Sequence, residues 1–393
     1  MQPKTPAVIV GGNLNGLGVA RSLARGRIPA YVLGRNRDCP SAWSRHVTFV
    51  PTRSLQDEAL ISALLDLAKR LKCRPVMILT QDASVLTVSA NRERLLPAYH
   101  IELPEEPVVK MLSDKVAFDA LAAREGFSVP RSCHLRSSTD LPRINELYPP
   151  LVLKPANKAS VHADGADRAV RADTLKHAHM LAQQMLAHSS TVIAQEWIEG
   201  PDSEIFFTFF CTRKDGSPAR FFSGRKLQSE PPGVGSTAIC IPAPEFAQQL
   251  EQETQEFLHR IRYRGLGSLE FKRDTRTKQF LMVEPTVGRT DWQEEIATLS
   301  GVNLPEVAYW LALGHEPPES PAQKPQTCAW RSSYEFRLPP TFNSDTRVID
   351  AHFRWSDPLP GVYHYGYKRG LHRAWRRVRG ILNSNVKQHG RPL

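Results

Sequence analysis

Paired cysteines are missing from this 393-residue chain. Its six cysteines (Cys39, Cys73, Cys133, Cys211, Cys240 and Cys328) are scattered, with no CxxC spacing, so neither a zinc site nor a disulfide framework is indicated. Long apolar runs are absent too: charge or proline interrupts every one before the roughly 18 residues a membrane-spanning helix requires. No internal repeat and no low-complexity tract is found. Acidic residues are absent after Asp357, whereas Lys368, Arg369, Arg373, Arg376, Arg377, Arg379, Lys387 and Arg391 all fall beyond it. The net charge of +11 is therefore concentrated in the tail, and the body is nearly balanced.

The rest is ordinary globular usage, with 41% hydrophobic and 23% charged residues and a mean hydropathy of −0.36, which excludes wholesale disorder. The 31 prolines imply many fixed turns rather than long uninterrupted helices. The length suits two or three domains. The start, MQPKTPAVIVGG, has one lysine and a short apolar run ending in glycines, and is read as a first strand rather than a secretory leader; a cytoplasmic protein is expected.

Hydrophobic period divides the chain. Residues 6–34 read as strand, glycine turn, helix (Leu17, Ala20, Leu23) and strand, a βαβ unit. A helix at 55–72 and a strand at 75–80 extend this into a small α/β domain with a parallel sheet. The prolines of ELPEEP mark a boundary near 105, and a helix is predicted over 114–130. Strands are predicted at 150–156, 191–198, 204–212, 219–228 and 279–286, and helices at 174–189 and 245–265. The proline-rich stretch 315–327 is read as a linker. Strands at 332–339 and 348–355 and a basic amphipathic helix over 371–382 are predicted to follow.

Gly11, Gly12, Gly16 and Gly18 follow a strand and open a helix, a place where backbone N–H groups can seat phosphate. The spacing is not a complete dinucleotide fingerprint, and Gly34-Arg35 stands where an acidic ribose ligand belongs. Farther on, Lys115 opens a helix and Lys154 ends an apolar strand, two ammonium groups suited to phosphate. Gln195-Glu196-Trp197-Ile198 forms a strand end able to read an adenine edge, with Glu204 just beyond a Gly-Pro turn as a ribose carboxylate. Arg225-Lys226 leads into PPGVGST, a glycine turn whose Ser236 and Thr237 suit a charged group. Glu270 and Glu284 lie on two strands joined by a charged turn; facing one way they can hold Mg²⁺ together with nucleotide phosphates. Lys272 and Arg289 add positive charge beside them.

Taken in order, SDKVAFDALAAREGFSVP, VLKPA, AQEWIEGPDSE, GRKLQSEPPGVGST, LEFKRD and VEPTVGR resemble the ATP-grasp superfamily, and its carboxylate–amine ligase branch (D-aspartate ligases among them) in particular. The likeness runs from about residue 7 to about 310, and TQDASVLTVSANRERL also suits that branch. It implies an α/β fold: a Rossmann-like pre-ATP-grasp domain over 1–108, a two-lobed α+β ATP-grasp module over 109–314, and a linker with a basic C-terminal extension over 315–393. It implies ATP and Mg²⁺ as cofactors, with Mn²⁺ as a substitute. In this frame Lys115 and Lys154 contact the ATP phosphates, residues 195–198 form the adenine hinge, and Glu204 holds ribose. Lys272 joins the ATP site, Glu270, Glu284 and Thr286 form the metal site, and Arg289, Arg225 and Lys226 surround the transferred group. Asp82, Ser236 and Thr237 are substrate candidates, Asp82 for an ammonium group or else as a helix cap. The activity implied is ligation of a carboxylate, such as aspartate, to an amine through an acyl phosphate, in cell-envelope or polysaccharide synthesis.

One departure stands out. The family carries Glu-x-Asn at the metal site, and this chain has Glu284-Pro285-Thr286, with Glu294 or Glu295 as candidates to compensate. Two other functions stay open: an NADP-linked oxidoreductase built on the N-terminal glycines, and an ATP-grasp-shaped protein that binds ATP without turnover. The expected partners are small-molecule substrates, with a homodimer compatible with the resemblance. No nucleic acid is expected, since the aromatic interleaving of an RNA platform is missing. Leu371, Trp375, Val378 and Leu382 form one apolar face among arginines. That face suits either packing on the protein itself or peripheral contact with the anionic inner face of a membrane.

Overall fold

The computed structural model describes residues 4–156, 169–319, 328–339, 342 and 346–368. The predicted βαβ unit is present as β1 (Ala7–Val10), α1 (Leu14–Arg25) and β2 (Ala30–Gly34), followed by β3 (Thr48–Pro51), α2 (Asp57–Leu71) and β4 (Val76–Leu79). These strands form a parallel sheet in the order β3-β2-β1-β4. Its run of buried Val and Ile fits a sheet covered on both faces. Helices α3 (Asp82–Ala90), α4 (Arg92–Leu95), α5 (Glu106–Ser113) and α6 (Lys115–Arg124) follow. Asp114 caps α6 by accepting from the N–H groups of Val116 and Ala117.

A small lobe comes next: β5 (Ser132–Leu135), β6 (Leu151–Pro155), β7 (Val170–Ala172), α7 (Leu175–Leu186) and β8 (Val192–Glu196). Its antiparallel sheet has the order β5-β8-β6-β7, and α7 closes a core belonging to this lobe alone. The large lobe is built from β9 (Ile205–Thr212), β10 (Pro218–Glu230), β11 (Ser236–Pro242), α8 (Pro244–Arg260), β12 (Gly265–Arg273) and β13 (Phe280–Val287). Then come α9 (Glu295–Leu299), α10 (Leu304–Ala312), β14 (Cys328–Arg331) and β15 (Arg347–Asp350). Its seven-stranded sheet runs β13-β12-β9-β10-β11-β14-β15.

Strand β9 is buried on both faces, and its side-chain alternation feeds two cores. Phe206 and Phe210 enter a core with Val8, Leu79 and Tyr263. Phe207 and Phe209 enter the other, with Leu17, Ile296 and Trp330. Both cores combine residues of the first parallel sheet with residues of the large lobe, so packing is continuous across residue 108.

Three expectations are corrected. The strand predicted at 332–339 is not formed; the chain pairs earlier, through β14, because Cys328 and Trp330 supply buried side chains beside β11. The strand predicted at 348–355 is shorter, as β15. The helix predicted to reach 265 ends at Arg260, where the chain turns through Arg262 at positive φ. The basic helix predicted over 371–382 lies outside the described residues.

The C-terminal strands are tied to α1 by charge. Arg21 is buried, and its Nε donates to Asp357 at 3.0 Å while its terminal nitrogens donate to the carbonyls of Ala351 (2.6 Å) and His352 (2.9 Å). Asp357 also accepts from Ser44 Oγ and the Arg45 N–H, so both buried charges are satisfied. Beside them, fully buried Glu294 accepts from Ser22 and Thr298 hydroxyls at 3.1 and 3.2 Å. Burial, and then neighbouring Glu295, push its carboxyl up to about 8. Between its ordinary value and about 8 the folded chain keeps a proton that the unfolded chain has released, so stability is lost as pH rises through that window. Glu294→Gln is expected to flatten the fall in urea midpoint between about pH 5 and pH 8, while an unchanged slope assigns that fall to other groups.

Candidate active site

A cleft of about 690 Å³ opens where the carboxyl ends of β1 and β4 face the large sheet. Lys115 and Lys154 reach it from the small-lobe side, Lys226, Glu270, Glu284 and Thr286 from the large sheet, and Asp82 and Arg289 from the far wall. Ser236 and Thr237 line it at the start of β11. A smaller adjoining cavity of about 160 Å³ is bounded by Gln195, Glu196, Trp197, Ile198 and Lys272, and shares Lys115, Lys154, Lys226, Glu270 and Glu284 with the cleft. The hinge segment and the charged groups predicted around it thus meet in one continuous space.

Strand register explains which residues gather. On β12, Glu270 pairs with Phe207 of β9 on one side and with Glu284 of β13 on the other. On β10, Gly224 pairs with Phe207, which puts Lys226, two residues on, on that same face. Two carboxylates directly opposite one another repel. Lys226 relieves this: its Nζ lies 2.6 Å from Glu270. Burial works against the ammonium, but Glu270, Asp291 and Glu284 outweigh it and hold Lys226 above its ordinary value. A bulge after Glu270 shifts β13 by one residue, returning Met282 to the core beside Phe271 while Glu284 stays at the cleft.

The same register corrects two assignments. Arg225 pairs with Phe206, on the opposite face of the sheet, and lies 3.5 Å from Glu245 of α8 instead of joining Lys226. Glu204 is held by Arg273 through two contacts of 2.6 and 3.1 Å and does not line either cavity. Asp82 does reach the cleft, but it neither caps α3, whose cap is Gln81, nor stands alone: Arg289 Nε donates to it at 2.6 Å. Burial opposes the Arg289 charge, while Asp291, Asp82 and Glu284 hold it firmly protonated.

Glu294 and Glu295 do not compensate for Thr286. The first is buried against Ser22 and Thr298, and the second is taken by Arg354 at 2.7 Å. Asp291, not foreseen from the sequence, is the carboxylate that Thr286 meets: the threonine hydroxyl donates to its Oδ1 at 2.8 Å. Asn15, at the start of α1, donates to Thr290 and to the Asp291 carbonyl, fixing this loop. The nearest sequence signal was an acid two residues after Arg289. Asp202 was also missed; its carboxylate accepts from the N–H groups of Ser229 and Gly233, both at 2.8 Å, and so pins the glycine turn over the cavity.

The N-terminal glycines are filled by the protein itself. A Cβ at Gly12 meets Cys39 Sγ at 2.4 Å, at Gly16 the Gly11 carbonyl at 2.1 Å, and at Gly18 a Glu294 oxygen at 2.8 Å. They permit close packing of α1, and Asn13 already caps that helix.

Two features fit a nucleotide and a hard cation. Gln195 Nε2 and Trp197 Nε1 are buried donors with no partner among the described residues, both in the smaller cavity. Lys154 Nζ donates to Gln195 Oε1 at 3.1 Å, placing an ammonium between that cavity and the cleft. Among the described residues no group of three or more His, Cys, Asp or Glu could hold a metal ion. The opposed Glu270 and Glu284 therefore suit a cation whose remaining ligands are phosphate oxygens and water.

Comparison with known proteins bears on the fold. No family profile matches the chain. A D-aspartate ligase of Enterococcus faecium (strain Aus0004) is 22% identical over 316 residues, covering 76% of this chain and 74% of that protein. N5-carboxyaminoimidazole synthetase of Staphylococcus aureus, solved with ADP, superposes with a TM-score of 0.62 at 16% identity, over 81% of this chain and 80% of that one. Biotin carboxylase of Campylobacter jejuni, solved in a β,γ-ATP complex, gives 0.63 at 14% identity, over 82% and 74%.

The chain has the ATP-grasp fold.

Within this fold the charge balance of the cleft rests on Lys226. Replacing it by Met leaves Glu270 and Glu284 facing each other across the hairpin, and is expected to lower stability by roughly 3 kcal/mol. Added Mg²⁺ should restore a larger share of the thermal midpoint in the variant than it adds to the parent. Equal Mg²⁺ responses would mean that the two carboxylates do not share a cation.

Proposed function

We propose that the protein is an ADP-forming ligase that joins a carboxylate to an amine. The observation that carries this reading is the register-fixed opposition of Glu270 and Glu284 beside three lysines, at the mouth of a cavity with unpartnered donors on its hinge. Adenine fits against Gln195–Ile198, where the orphan donors lie. Lys115 and Lys154 neutralise phosphate charge, and Glu270 and Glu284 hold Mg²⁺. The cation, when bound, supplies charge neutralisation on the transferred phosphoryl group.

The chain's own residues then position the reactants. Arg289, kept charged by Asp82 and Asp291, orients the carboxylate whose oxygen attacks the terminal phosphorus of ATP, releasing ADP. Lys226 stands on the same face and stabilises the charge that builds on the acyl phosphate. The amine nitrogen attacks the acyl carbon, inorganic phosphate leaves, and the nitrogen gives up a proton. Ser236 and Thr237 border this space from the turn that Asp202 pins. Asp291 takes the place of an amide at the metal site, acting through Thr286. Aspartate is the preferred carboxylate, a reading supported by the similarity to D-aspartate ligase, and a cell-envelope or polysaccharide precursor is the preferred acceptor. Among the described residues no helix is long and apolar enough to cross a membrane.

The deciding experiment is ADP release from ATP and Mg²⁺ with pools of amino acids and amines. Release that requires one carboxylate and one amine is expected; binding of ATP without release under every pool would support a non-catalytic protein instead. Glu284→Gln removes a charge at constant volume and is expected to lower turnover at least about a hundredfold with the fold intact. Lys154→Met is expected to weaken ATP binding about tenfold or more, measured by calorimetry. Unchanged affinity would remove Lys154 from the phosphate site.

A further inference from the structure

A separate cavity of about 390 Å³ lies at the amino end of β4, opposite the cleft, and shares no lining residue with it. Its walls come from both halves of the chain. Arg74, Arg92 and the segment from His100 to Glu105 form one side; Lys214 in the β9–β10 turn, Arg264 before β12, and Leu313-Gly314 after α10 form the other. Four cations (Arg74, Arg92, Lys214, Arg264) thus face two carboxylates (Glu102, Glu105).

The carboxylates do not use up the cations. Arg92 and Arg264 straddle Glu105 at 3.8 and 3.6 Å, and Lys214 stands 3.4 Å from Glu102, all longer than a closed hydrogen bond. Arg92 Nε is buried with no partner among the described residues. Burial raises the Glu102 carboxyl above its ordinary value against the pull of Lys214, and burial with Arg74 lowers His100, so His100 adds little charge of its own. Arg74 Nε and a terminal nitrogen of Arg92 donate to the Tyr99 and Pro104 carbonyls, which fixes the two guanidinium groups at the wall. Cations fixed around a recess, with a surplus of positive charge and the Arg92 Nε donor unspent, form a receptor for a compact multivalent anion. Leu96, Ile101 and Leu313 add an apolar strip along the recess.

We propose that this cavity binds a small phosphorylated metabolite, its phosphate between Arg92, Lys214 and Arg264 and its remaining part along Leu96, Ile101 and Leu313. The site lies at a junction that matters for the cleft. His100 pairs with β4, accepting from the Met77 N–H at 2.9 Å, and Leu103 at the end of this segment packs on Gly288, the residue before Arg289.

Calorimetric titration of the full chain with pyrophosphate, its cleft saturated with MgADP, tests this. One further binding site is expected. Lys214→Ala and Arg264→Ala, both at exposed positions that leave the fold intact, should each weaken it about tenfold, while Lys154→Met should leave it unchanged. No further binding, or weakening by Lys154→Met in place of the two alanine variants, would overturn the site. Citrate binding as tightly as pyrophosphate would overturn the phosphate assignment.

Discussion

Strand β9 must satisfy two interiors at once, and much of the molecule follows from that constraint. Its sequence IFFTFFCT gives each face aromatic side chains, so neither face can be left to water. One face draws in the first parallel sheet and α8, and the other draws in α1, α9 and β14. Because β10 and β12 flank β9, its register also decides which of their side chains emerge together. Lys226, Glu270 and Lys272 share the face of Phe207, and Arg225 is turned to the face of Phe206.

Electrostatics in the cleft are organised by opposition rather than neutralised within the protein. Glu270 and Glu284 would repel without Lys226, and Arg289 is held charged by acids on three separate segments, at Asp82, Asp291 and Glu284. Each cation of the large-lobe wall thus answers more than one carboxylate, which fixes its position and keeps it charged. The Thr286 hydroxyl, at the end of β13, ties the Asp291 carboxylate of the next loop to the cleft wall.

Much of this was legible in advance. The first βαβ unit, the helices near 57–71, 115–124, 175–186 and 244–260, and the longer strands of both lobes followed from hydrophobic period, while short strands such as β3, β5 and β7 carried too little pattern to be read. Lys115, Lys154, Gln195–Ile198, Glu270 and Glu284, drawn from separate segments, line adjoining cavities. Misreadings came where local pattern carries no information on direction. Glu204 and Arg225 have suitable chemistry but end on the other side of the large sheet, with Arg273 and Glu245. The N-terminal glycines looked like a phosphate turn and serve the close approach of α1 to Cys39 and Glu294. β14 was missed because its short run gains meaning only from β11 beside it.

Period, turn residues and the order of charged groups are properties of neighbouring residues, so the chain alone could specify its α/β class, the site's residue types and a basic, acid-free tail. Which carboxylates face each other, which lysine separates them, and where Asp291 and Asp202 act depend on strand register and on loops brought together from distant positions. Those contacts pair residues such as Asn15 with Asp291 and Arg21 with Asp357, hundreds of positions apart. Such pairs form only once the buried faces of β9 have chosen their partners, because a one-residue slip in a strand turns every side chain to the other face.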